Sequence, residues 1–111
     1  MSVEALWSVE FISSNKIFGS GVAVLETEKV LGGDAQYTYV GDYKVVNDTF
    51  FAHIAVSHYA GATFSAFGNR KQFNLVLSGT PADRTIDAEG HIEGEPQNKI
   101  LIRLTRRAEL P

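Results

Sequence analysis

The chain has 111 residues, 44% of them hydrophobic and 21% charged, with a net charge of −3 and no cysteine. That length bounds one domain, 1–111, with one core. The mild acidity lacks the basic surface that direct nucleic-acid binding needs, and without thiols there are neither disulfides nor thiolate zinc sites.

Period-two alternation dominates, and helical periodicity is scarce. Trp7, Val9 and Phe11 alternate with Ser8 and Glu10, predicting a first strand near 5–13. Ser13-Ser14-Asn15-Lys16 reads as a turn. A second strand runs from about Ile17 to Leu25, where Gly19, Gly21 and Ala23 share one face. Three small residues on one face point to a bend or a close approach of other atoms. Val30-Leu31 forms a short strand, with a turn at Gly32-Gly33-Asp34. Tyr37, Tyr39, Gly41 and Tyr43 mark the inner face of the next strand. Val46-Asn47-Asp48 turns into a long strand reaching Tyr59, whose even face is Phe50, Ala52, Ile54, Val56 and His58.

Ala60 to Gln72 is irregular and reads as a loop or a short helix. Phe73, Leu75 and Leu77 resume the alternation. A turn at Pro81-Ala82-Asp83 leads into Ile86, Ala88, Gly90 and Ile92. Gly94 to Asn98 reads as a turn, and Ile100, Ile102 and Leu104 face inward on the last strand. These are eight strands with short links and no crossover helix. The expected fold is all-β, an eight-stranded antiparallel up-and-down barrel, with a two-sheet sandwich second.

Catalytic chemistry finds no constellation. His53 and His58 lie five apart on one strand and point to opposite faces, so they do not chelate one metal. Gly19-Ser20-Gly21 sits in a strand pattern, not at a strand-to-helix turn. Asp87/Glu89 and Glu93/Glu95 belong to solvent-facing positions, where no apolar wall raises a carboxyl pKa. Arg103, Arg106 and Arg107 read as a solvated strand end. No enzyme, metal or cofactor is expected. No apolar stretch reaches the roughly 18 residues of a spanning helix, and Met1-Ser2-Val3-Glu4-Ala5 shows no leader pattern, so a cytoplasmic protein off the membrane is expected.

An ordered series runs along nearly the whole chain. It comprises Trp7-Ser8-Val9-x-Phe11, Gly19-x-Gly21-Val22, Val30-Leu31-Gly32-Gly33-Asp34 and Tyr37-x-Tyr39-x-Gly41-x-Tyr43, then Ala52-x-Ile54-x-Val56-x-His58, Gly68, Leu75-x-Leu77-x-Gly79, Gly90 and Leu104-x-Arg106. The series resembles the GrlR-like family of small bacterial regulators, known for negative control of type III secretion. The resemblance implies a lipocalin-like barrel, a homodimer, and a role in binding and silencing a transcriptional activator. On that reading Gly32 and Gly33 permit positive φ in a tight turn, while Gly41, Gly79 and Gly90 relieve crowding. The acidic run that the family's naming member carries in this hairpin is reduced here, at Lys44-Val45-Val46-Asn47-Asp48, to a single acid.

Two functions are therefore expected in competition. One is a regulatory barrel acting by protein–protein contact, with Phe51, Tyr59, Asn47 and Asp48 as partner or dimer surface. The other is a carrier or sensor of a small apolar ligand, with Tyr37, Tyr39, Phe50 and His58 lining the interior.

Overall fold

A computed structural model describes residues 2–13, 16–63 and 69–111, with the backbone alone at 16–18. Eight strands follow in order: β1 (Ala5–Ser13), β2 (Lys16–Glu26), β3 (Lys29–Gly33), β4 (Tyr37–Val46), β5 (Thr49–His58), β6 (Gln72–Pro81), β7 (Thr85–Ile92) and β8 (Glu95–Ala108). Each pairs antiparallel with its neighbour in sequence, and β8 pairs back on β1 through Val9↔Leu104 and Phe11↔Ile102. The sheet is a closed up-and-down barrel, as the alternation predicts.

The core fills the barrel axis. Trp7, Val9 and Phe11 point inward from β1, Ala23 and Leu25 from β2, and Tyr37, Tyr39 and Tyr43 from β4. From the other side come Phe50, Val56, Leu75, Leu77, Ile86, Ile102 and Leu104. No polar or charged side chain is buried among the described residues. The small face of β2 is explained by Gly21. A Cβ there would lie 2.8 Å from the Tyr39 hydroxyl.

The reading of two turns needs correction. Gly32 and Gly33 belong to β3, pairing with Ala23 and Val22, and neither has positive φ. Gly32 is required by crowding instead, since a Cβ would stand 2.1 Å from the Val22 carbonyl oxygen. The chain turns at Asp34, whose Oδ1 accepts the N–H groups of Gln36 and Tyr37 at 2.8 and 2.7 Å. Such an aspartate-driven turn needs no glycine. At the other site β8 begins at Glu95 rather than after Asn98. Glu93-Gly94 makes the turn, with Gly94 at φ 87°. The register then shifts, Ile92 facing Glu95 and His91 facing Lys99. Residues 96–98 bulge out, which suits Pro96 because it has no N–H to give.

Two hairpins use primed two-residue turns. Thr27-Glu28 and Asn47-Asp48 all have φ between 52° and 62°. That geometry matches strand twist. Asparagine and aspartate enter it readily, whereas the β-branched Thr27 is strained there. The Glu4 carboxylate compensates by accepting the Thr27 N–H at 2.8 Å.

The predicted turn at Ser13–Lys16 falls in part outside the described residues, as do Gly68 and the centre of the Ala60–Gln72 stretch. The described ends of that stretch, 60–63 and 69–71, are neither strand nor helix, and Gln72 opens β6.

The crowding at Gly41, Gly79 and Gly90 is backbone against backbone. A Cβ would stand 2.1, 2.3 and 2.0 Å from the carbonyl oxygens of His53, Asp87 and Val76. Gly41→Val is expected to destabilise the fold by about 1–3 kcal/mol through forced strand displacement. Urea unfolding followed by far-ultraviolet circular dichroism measures it.

Candidate functional site

The barrel has two ends and an outer wall, and each is built differently. At one end lie the start of β1, the turns 27–28 and 47–48, and the close of β8. Trp7 is fully buried there, and its indole N–H donates to the Val3 carbonyl at 2.9 Å. Arg106 lies across it, guanidinium carbon 4.9 Å from the ring centroid. Its Nε donates to the Asp83 carbonyl at 2.8 Å and a terminal nitrogen donates to the Ser2 carbonyl at 2.6 Å. Only 13% of the Arg106 side chain is exposed. The basic group of three is therefore not one solvated strand end. Arg106 closes the barrel, while Arg103 pairs with Asp87 and Arg107 donates to the Ser8 hydroxyl.

The opposite end is a polar clasp centred on Asp34. The Tyr39 hydroxyl donates to its carboxylate and the Tyr59 hydroxyl to its carbonyl. The Tyr59 N–H donates to the Gln36 carbonyl at 2.8 Å. The Tyr37 hydroxyl reaches the Arg70 carbonyl at 3.1 Å. The His58 Nε2 lies 2.8 Å from the Gly61 carbonyl oxygen, which only accepts, so this nitrogen carries the proton. The chain on either side of residues 64–68 is thus tied to the rim of β3 and β4. Arg70 also pairs with Glu95, and this hydrogen bond holds the Glu95 carboxyl below the usual carboxylate range. Burial, reinforced by the Asp34 carboxylate, keeps the Tyr39 phenol neutral far above the ordinary tyrosine range.

Between the two ends the interior is nearly full. Its cavity measures about 30 Å³, with an entirely apolar lining. Of the four residues expected to line it, Tyr39 and Phe50 do so. Tyr37 and His58 belong to the clasp, their rings edge-on with centroids 5.4 Å apart. Small-molecule pockets are typically ten times larger or more, roughly 300–1,000 Å³. The interior as packed has no room for the expected apolar ligand.

The outer wall carries the exposed apolar surface. Val45, Val46 and Phe51 are each 40% or more exposed around the Asn47-Asp48 hairpin, at the Arg106 end. Tyr59 is 57% exposed but sits at the far end of β5, pinned to Asp34. The four residues expected to form one partner surface thus divide into a hairpin group and a clasp residue. A shallow groove lined by Lys29, Asp42, Lys44, Phe51 and His53 lies beside the hairpin.

The carboxylates read as solvent-facing all meet bases: Asp87 with Arg103, Glu89 with Lys99, Glu93 with His53 and Glu95 with Arg70. No group of three or more His, Asp or Glu among the described residues could hold a metal ion. No helix of the described residues is long and apolar enough to cross a membrane. Comparison with protein-family models and with curated proteins finds no match.

The clasp has a pH signature. The folded state holds the Tyr39 proton more tightly than the unfolded chain, whose tyrosines titrate near pH 10. This contribution is intact below about pH 10 and is lost as pH rises further, because only the unfolded state ionises. Tyr39→Phe is expected to lose about 1 kcal/mol at neutral pH and to flatten the alkaline fall in stability. Urea unfolding at neutral and strongly alkaline pH reads both effects.

Proposed function

We propose that this chain is a non-enzymatic regulatory barrel of the GrlR-like kind, working in the cytoplasm through protein contacts on its outer surface. The observation that carries the reading is a contrast in volume and exposure. The interior cavity measures only about 30 Å³, whereas large apolar side chains stand in water outside. A carrier needs the reverse arrangement. Exposed apolar patches on soluble proteins mark contacts with other macromolecules.

The β4–β5 hairpin is the partner-binding element in this reading. It projects Val46, Asn47 and Asp48 beyond the wall, with Phe51 one step behind. Its single acid and flanking valines fit an apolar recess better than a basic groove. The partner class that the resemblance implies is a transcriptional activator, held away from its promoter.

Affinity capture from the source cells, with the tagged full chain as bait, is expected to recover a transcription factor. The Val46→Asp/Phe51→Ser variant is expected to keep the wild-type far-ultraviolet spectrum, both sites being exposed. It should retain that partner at least about tenfold more weakly, as loss of an anchor residue does. Recovery of no regulator, or equal retention by the variant, would reject the proposal.

A further inference from the structure

At the Arg106 end the strands differ in reach. β3 stops pairing with β4 at Lys29↔Asp42. β4 runs on through Tyr43, Lys44, Val45 and Val46, held on its other side by β5 as far as Val46↔Thr49. Alternate residues of an antiparallel strand bond to alternate neighbours. The Tyr43 N–H donates to the Glu28 carbonyl at 3.0 Å, so Tyr43 turns its backbone groups toward the β3 side. Val45, two residues on, turns its own the same way, where β3 has already ended. The Tyr43 carbonyl and the Val45 N–H and carbonyl therefore form a short open edge, without a hydrogen-bond partner among the described residues. β5 has no such edge here, because β6 pairs along it at Phe50↔Gly79.

The side chains around this edge suit a strand as its occupant. Val45 and Val46 point to opposite faces and are 43% and 46% exposed. An added strand would extend both apolar faces of the hairpin. Edges are commonly blunted by a proline or a bulge, and β4 has neither beyond Asp42. The stretch spans about 13 Å, room for a segment of three or four residues.

Charge sets the sign of the occupant. Burial holds the Tyr43 phenol above the ordinary tyrosine range, against a backbone hydrogen bond with Glu28 that lowers it, and the Glu4, Glu28 and Glu26 carboxylates push it up further. Those three carboxylates thus stand at the foot of the edge. All are exposed, and no ion pair engages them among the described residues. Asp48 adds a fourth at the tip, while Lys29 and Lys44 are the cations that β3 and β4 contribute. The hairpin brings one of these acids, and the chain beside it brings the rest.

We infer that the open edge of β4 takes up an extended segment of a partner protein, apolar at alternate positions and basic at the end that meets Glu28. The inference rests on the hairpin reading above and gives it a mode, the addition of a strand.

Titration of the isotope-labelled full chain with the peptide acetyl-Arg-Thr-Val-Thr-Val-Arg-amide, followed by nuclear magnetic resonance, tests it. The amide signals of Tyr43 to Val46 are expected to shift, and solvent exchange of the Val45 N–H to slow at least about tenfold. The same peptide N-methylated throughout keeps its side chains but has no N–H to donate, and is expected to bind at least about tenfold more weakly. Val45→Pro removes the receiving N–H at a position where an edge strand tolerates proline, and should weaken the peptide about as much. Glutamate in place of both arginines is expected to cost about tenfold. Absence of any shift at millimolar peptide overturns the inference. So does equal binding by the N-methylated peptide, by the acidic peptide or by Val45→Pro. Loss of binding in Val46→Asp/Phe51→Ser but not in Val45→Pro would keep the hairpin as the contact and reject the added strand. Slowed exchange at Val45 without peptide, with a doubled mass in sedimentation, would put a second copy on the edge and reject the partner segment.

Discussion

Eight strongly coiled strands enclose little space, and the inward side chains have to fit it. Where the strands come too close for any Cβ, the chain places glycine, as at Gly41 against the His53 carbonyl. Where the axis widens, it places Trp7, Phe50 and the tyrosines of β4. The outcome is an interior with no buried polar side chain among the described residues and almost no free volume. Close packing of this kind makes each inward position sensitive to a change of one methyl group. It also moves any recognition chemistry to the outside.

A cylinder packed this way still has two open ends, where core atoms would meet water. The chain closes them with polar groups that carry apolar bodies. Arg106 lays its stem and guanidinium over Trp7 and satisfies two carbonyls. At the other end Tyr37, Tyr39 and Tyr59 bring hydroxyls to backbone or carboxylate oxygens while their rings seal the rim. Amphipathic side chains suit such boundaries, since one end is apolar and the other wet.

The strands and their order were legible from alternation, and so were the inner faces wherever these are the more apolar; on β2 they are not, since Gly21 and Ala23 point inward while Val22 stands outside. The turns were legible only where local chemistry announced itself. Asn47-Asp48 did so, and the aspartate turn at Asp34 was misread because Gly32-Gly33 beside it looked like the bend. The need for Gly32 comes from the Val22 carbonyl of β2, ten residues away in the chain, and that for Gly33 from the Tyr37 carbonyl at the start of β4, and no local pattern carries either. Arg106 was misread for the same reason: its neighbours Arg103 and Arg107 are exposed, and only the tertiary approach of Trp7 and Ser2 sets it apart. The Asp34 clasp left a fainter signal. An aspartate set among tyrosines at 37, 39 and 59 supplies acceptors and donors, but their meeting depends on barrel curvature.

Pairing of β1 with β8 closes the sheet on itself, so that each strand is hydrogen-bonded to two neighbours along part of its length. A protein with an edge can recruit a partner by lending backbone hydrogen bonds to an added strand, a mode of binding largely indifferent to side-chain identity. This barrel keeps that resource short, at the stretches of β2 and β4 that outrun the five-residue β3. Most of what it binds is held by side chains on a finished wall. Its specificity is thus free to drift by surface substitution, one residue at a time, without disturbing the architecture beneath.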